Sequence, residues 1–179
     1  MSSAYRVCFV CTGNICRSPI AEAVFRARLT EAGLDSRVEV DSAGTDGWHE
    51  GDGADPRALS VLNARGYPSD HSARRFRASW FPLLDLVIAL DEGHLRELRR
   101  LAPTPEAAAK VRLLRSYDPA VGPLDDPPDT RSGAARPMDL GVPDPYYGGM
   151  DGFEKCLEMV EAACDGLLAT VRDAIEEAA

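Results

Sequence analysis

A thiol, a guanidinium and several small residues share one short stretch, Cys11-Thr12-Gly13-Asn14-Ile15-Cys16-Arg17-Ser18. It follows an apolar run at residues 7–10 and precedes Pro19-Ile20-Ala21-Glu22-Ala23-Val24-Phe25. Together these are the parts of an oxyanion site with a nucleophile in it. Where a strand hands over to a helix, several backbone N–H groups have no intrahelical partner, and the helix dipole adds partial positive charge. Gly13 lets the backbone come close to an anion, and Asn14 is among the few non-glycine types that tolerate positive φ, which a loop curling its amides inward requires. The same field favours a thiolate at Cys11, so Cys11 is the candidate nucleophile. Arg17 can fold back and present a planar fork to two phosphate oxygens, a geometry lysine cannot reproduce.

These residues must be held by a strand before the loop and a helix after it. By composition, residues 7–10 are a short buried strand, and Ser18 followed by Pro19 reads as N-cap and first helical position of a helix over 19–32. Further along, 38–42 reads as a strand, and Asp55-Pro56-Arg57 opens a helix to about 65 that stops at Gly66. A buried strand is expected at 83–90, a helix from about 91 and a fourth strand at 110–114. Residues 150–177 contain a long amphipathic helix with Phe153, Leu157, Val160, Cys164, Leu167, Leu168, Val171 and Ile175 on its apolar side. Strands separated by helices predict an α/β fold with a parallel sheet covered on both faces, and such sheets bind ligands outside the carboxyl ends of their strands, where Cys11 falls.

The loop resembles that of the low-molecular-weight protein tyrosine phosphatases, with their Cys-x5-Arg-Ser pattern near the N-terminus. Asp144-Pro145-Tyr146-Tyr147-Gly148 resembles that family's general-acid loop, and Ser42-Ala43-Gly44-Thr45 with Trp48 and His49 resembles its second cleft-lining segment. His71-Ser72-Ala73-Arg74 is similar to a further family segment. The islands occur in family order across nearly the whole chain. The resemblance implies a three-layer sandwich with a four-stranded parallel sheet and the phosphate-binding loop between strand 1 and helix 1. It implies hydrolysis of phosphotyrosine through a cysteinyl-phosphate, with Cys11 as nucleophile, Arg17 as oxyanion clamp and Asp144 as general acid and then base.

Other roles follow from the same resemblance. Thr12, Gly13, Asn14, Ile15, Cys16 and Ser18 would surround the phosphate, with Ser18 both capping the helix and donating to the leaving thiolate of Cys11. Asn14, Ser42 and His71 would form a supporting hydrogen-bond network. Trp48, Tyr146 and Tyr147 would line the cleft and pack on the substrate ring. Cys16 would be able to pair with Cys11 under oxidation. The expected partners are a phosphotyrosine-containing protein or an aryl phosphate, with inorganic phosphate as product.

Rival activities on this fold leave different marks. An arsenate reductase needs a further redox cysteine pair in mid-chain, and residues 83–100 contain no cysteine. In the protein arginine phosphatase branch the loop carries threonine where this chain has Ile15, and the Tyr146-Tyr147 pair also favours phosphotyrosine. A catalytically silent phosphoprotein-binding module would have lost Cys11, Arg17 or Asp144. All three are present.

Composition sets outer bounds. At 179 residues the chain fits one domain, without a Gly/Ser linker or internal repeat. Its net charge of -9 argues against a broad electrostatic hold on nucleic acid or on an anionic membrane. No apolar run approaches the roughly 20 residues of a membrane span, and the first six residues are too short for a secretory leader. Five cysteines, two of them in the loop, fit a reducing compartment. The expected location is therefore cytoplasmic, which leaves leaderless export open. The histidines His49, His71 and His94 show no metal-like spacing, so neither metal nor cofactor is expected. Residues 118–143, rich in Pro, Gly, Asp and Arg, read as a mobile loop insertion leading into Asp144.

Overall fold

The first strand, β1 (Tyr5–Cys11), turns Val7, Phe9 and Cys11 to one side of a sheet and Cys8 and Val10 to the other, and all five are buried. A strand buried on both faces needs cover on both, and this decides the architecture. The computed structural model describes residues 4–121 and 140–178. Within them β1, β2 (Val38–Gly44), β3 (Leu86–Ala89) and β4 (Val111–Leu113) form a four-stranded sheet in the order β2-β1-β3-β4. Every pairing is parallel, with Cys11 opposite Gly44 and Val10 opposite Ala89. The strand order reverses beside β1, so its carboxyl end lies at the crevice where such sheets bind ligands.

Helices α1 (Arg17–Glu31), α2 (Pro56–Ala64) and α5 (Met150–Ala178) cover one face. Phe9 packs there edge-on against Phe25, with ring centroids 5.7 Å apart, and Phe153, Leu157 and Val160 of α5 join the same cluster. Helices α3 (Glu92–Leu101) and α4 (Pro105–Ala109) cover the other face, where Cys8 and Val10 meet Phe76, Phe81, Val87 and Leu98. This is the expected three-layer α/β sandwich.

Local chemistry explains most element ends. α1 closes with Gly33 at φ +71°, where Gly33 N–H donates to Thr30 O and Leu34 N–H to Leu29 O, and α2 closes the same way at Gly66, φ +77°. The Asp55 carboxylate caps α2 by accepting from Arg57 N–H, with Pro56 in the first turn, and Asp91 caps α3 by accepting from His94 N–H.

Three readings need correction. α1 starts at Arg17 with Cys16 at the cap position and no side-chain cap, because the Ser18 hydroxyl turns into the loop instead. Only Leu86–Ala89 of the apolar 83–90 stretch is strand. The chain before it forms a 3-10 turn, Ala78–Leu83, that contains Pro82 and leaves Leu83 exposed. The short helix α4, capped by Thr104 with Pro105 behind it, is an additional element, and its start parallels the Asp55-Pro56 start of α2. On α5 the expected apolar side faces the core, with Leu168 half-buried against it and Cys156 and Ala163 covered beside it. Most of the expected 118–143 insertion, residues 122–139, lies outside the described residues.

Candidate active site

The loop from Cys11 to Arg17 curls because Asn14 adopts φ +59°. Its side chain is bonded at both ends. Asn14 Nδ2 donates to Ser18 Oγ at 2.8 Å and to Ser42 Oγ at 3.0 Å, while Asn14 Oδ1 accepts from Arg74 N–H at 3.0 Å. The Asn14 carbonyl is 2.6 Å from His71 Nε2. A left-handed asparagine with these bonds is held by β2 and by the segment around residue 74, so the loop is shaped before any ligand arrives. Gly44 makes this approach possible, because a Cβ there would lie 2.5 Å from Thr12 O. Thr45 N–H and Asp46 N–H then donate to Cys11 O and Thr12 O.

Cys11 Sγ lies 2.9 Å from Ser18 Oγ. Since Ser18 Oγ accepts from Asn14 Nδ2, its one hydrogen can go to the sulfur or to Ala43 O, which is 3.4 Å away. The shorter contact makes the hydroxyl a donor to sulfur. Cys16 is a different thiol, pushed far up first by burial and then by the Asp55 carboxylate.

Arg17 is almost wholly buried, and its fork is held closely at Nη1 and more loosely at Nη2. Nη1 donates to Asp91 Oδ2 at 2.8 Å and to Val142 O at 2.9 Å, while Nη2 is 3.4 Å from Thr12 Oγ1 and 3.7 Å from Asp144 Oδ2. Burial disfavours its charge, yet Cys11, Asp91 and Asp144 together hold the guanidinium above its ordinary value. Burial also opposes ionisation of Asp91, but the His94 backbone N–H, His94 and Arg17 outweigh it and keep the carboxyl below its usual range. His94 is buried beside them, with Nε2 2.8 Å from Thr12 Oγ1. Its Nδ1 is 3.1 Å from Asp91 Oδ1 without hydrogen-bond alignment. Burial, aided by Arg17 and opposed by Asp91, pulls the His94 imidazole down to about 4, so it is neutral near pH 7.

The loop floors a cavity of about 400 Å³. One wall is Asp46, Trp48 and His49, and the other is Asp144, Tyr146 and Tyr147. Trp48 is 87% exposed and Tyr147 90%, so both rings at the cavity are open to whatever enters it. Asp144 Oδ1 accepts from Tyr146 N–H at 3.0 Å, which leaves Oδ2 on the Arg17 side. Arg57, at the start of α2, donates to the carbonyls of Tyr146 at 3.0 Å and Gly148 at 2.9 Å.

Every residue singled out from sequence for the site thus gathers around one cavity or in the network behind its floor. Ser18 is there as a loop residue and not as a helix cap. Asp91, His94 and Arg57 were missed. Asp91 carries only the signal of a helix start, and His94 and Arg57 belong to no motif.

The family model described as "Low molecular weight phosphotyrosine protein phosphatase" matches residues 6–177. The chain is 67% identical over 172 residues to a low molecular weight protein-tyrosine-phosphatase of Streptomyces coelicolor, covering 96% of both chains. It is 46% identical over 167 residues to low molecular weight protein-tyrosine phosphatase A of Mycobacterium tuberculosis, covering 93% of this chain and 91% of that one. Among solved structures, a protein tyrosine phosphatase from Entamoeba histolytica superposes with a TM-score of 0.81 at 32% identity, covering 96% of this chain and 99% of the other.

Proposed function

Because the chain belongs to the low molecular weight phosphotyrosine protein phosphatase family and is a protein-tyrosine phosphatase, we propose that Cys11, Arg17 and Asp144 carry its reaction. The Cys11 thiolate attacks phosphorus in line, and the S–P bond forms as the P–O bond to the phenol breaks. Loop N–H groups and the Arg17 guanidinium hold the equatorial oxygens, where transition-state charge collects. Tyrosine's phenol has a pKa near 10, so Asp144 gives it a proton as it leaves. Asp144 then takes a proton from the water that attacks the cysteinyl-phosphate. Inorganic phosphate departs, and Cys11 leaves as a thiolate that receives the Ser18 hydrogen bond.

One observation carries this reading. A single buried guanidinium reaches both Thr12 of the nucleophile loop and Asp144, at the cavity onto which Cys11 opens. The exposed rings of Trp48 and Tyr147 support a protein-borne phosphotyrosine or another aryl phosphate as substrate, with the aryl group between them. The family match across residues 6–177 supports a single phosphatase domain. Five unpaired cysteines support a reducing, cytoplasmic location, and no described helix is long and apolar enough to cross a membrane.

Phosphate release from a phosphotyrosine peptide and a phosphoarginine peptide, with Cys11→Ser as blank, tests the reading. Turnover of phosphotyrosine abolished in the variant is the expected result. Undiminished turnover by Cys11→Ser would remove the nucleophile assignment, and turnover of phosphoarginine alone would move the substrate to the guanidino class.

A further inference from the structure

The nucleophile loop and the acid loop are far apart in sequence, and proton transfer to a departing phenolate tolerates little error in their spacing. Among the described contacts, one side chain spans the gap on the α2 side. The backbone N–H of Asp55 donates to Ile15 O at 2.8 Å, which ties the start of α2 to the nucleophile loop. The Asp55 carboxylate holds Arg57 in a fork, with Nε 3.1 Å from Oδ1 and Nη2 3.0 Å from Oδ2. The other edge of the same guanidinium donates through Nη1 to Gly148 O and through Nη2 to Tyr146 O. Its flat face lies 4.6 Å from the Phe153 ring centroid, and Phe153 is fully buried in α5. A planar group bonded along two edges and backed by a ring has little freedom left.

We infer that Arg57, locked by Asp55, is a strut that sets the distance between the Ile15 end of the nucleophile loop and the Asp144–Gly148 turn, and so positions Asp144 for proton transfer. The inference rests on the assignment of Asp144 as general acid. Arg57 touches no substrate in this role, because it grips main-chain carbonyls beyond the acid and leaves the carboxyl itself to the cavity. The Asp144 carboxyl is aimed from the other side by the Tyr146 N–H. The turn is therefore held at the two residues that follow Pro145 and Tyr147, and opening either grip lets it drift from the leaving group.

The signature of a misplaced acid is selectivity for the leaving group. A phenol of high pKa needs the proton and a nitrophenol does not, so kcat/KM for phenyl phosphate should fall at least about tenfold more than for p-nitrophenyl phosphate in Arg57→Ala. Partial unfolding lowers both rates alike, so the ratio of the two is insensitive to a folding defect. Asp55→Asn keeps a competent helix cap but loses the anionic fork, and should shift the ratio in the same direction. Arg57→Lys keeps the charge but cannot span both carbonyls, and should retain most of the bias. Equal losses on both substrates in Arg57→Ala, or full rescue by Arg57→Lys, would overturn the strut. Asp144→Asn separates the two claims. If it shows no leaving-group bias while Arg57→Ala does, the assignment of Asp144 as acid fails and the positioning role falls with it; if it shows the bias while Arg57→Ala does not, the assignment holds and the strut alone is overturned. If adding Arg57→Ala to Asp144→Asn increases the bias further, the strut does not act through Asp144 and is overturned in this form.

Discussion

At Ser18 one hydroxyl serves two states of the sulfur beside it. With its lone pairs turned to Asn14, it can donate only toward Cys11 or weakly toward Ala43, so it stabilises the thiolate more than a phosphorylated sulfur. A hydrogen bond to a charged group is worth about 1.5–3 kcal/mol, so Ser18→Ala should slow hydrolysis of the cysteinyl-phosphate by about 10- to 150-fold. A stopped-flow burst of phenol ahead of the steady state is the expected observation, and loss of both phases in equal measure would argue against it. Removing the carboxyl in Asp144→Ala should cost about 100- to 10,000-fold in kcat/KM for a phosphotyrosine peptide, measured by phosphate release. Residues such as Cys11, Asn14 and Arg17 are legible from sequence because the loop that groups them is contiguous and each type does something few others can. His94 and Arg57 are not legible. One acts through a threonine hydroxyl and the other through main-chain carbonyls, partners that leave no trace in a residue pattern.

At the scale of elements, the end of β2 and the loop after β1 share one close contact. Gly44→Ala would press a methyl group to 2.5 Å from Thr12 O, so either strand or loop must move. Such overpacking costs about 1–3 kcal/mol, and because the loop is the softer partner, activity should fall more than urea-unfolding stability. Normal kcat/KM with wild-type stability would mean that the strand yields without cost. Strand and helix order was readable because apolar runs, Asp-Pro starts and glycine stops each carry local physics, as at Asp55, Gly33 and Gly66. Boundaries that depend on distant partners were not. Leu83 is apolar yet exposed, and nothing near it in sequence says that pairing with β1 begins only after Asp85 N–H has reached Arg6 O. Ser18 followed by Pro19 has the composition of a cap, but tertiary demand for its hydroxyl overrides that preference.

For the whole molecule, buried His94 links folding to acidity. Its imidazole is held at about 4 against an ordinary 6.5, so the unfolded chain binds the proton first. The stability this confers is complete above pH 6.5 and is lost as pH falls through about 4, a change on the order of 3 kcal/mol from this group. Asp91, also held low, adds loss of the same sign at the acid end. Urea titrations at pH 7 and pH 4.5 should show a smaller drop for His94→Gln than for wild type, and identical drops would exclude His94 as the source. The nucleophile sits at the end of the first strand, whereas the acid turn is gripped by Arg57, which packs on Phe153 at the start of α5, and α5 also covers α1. During synthesis the chain therefore presents a thiol loop long before it owns a proton donor. Phe153, Leu157 and Val160 of α5 complete the core beneath α1, so the site that begins with the first strand waits on the last helix to be finished.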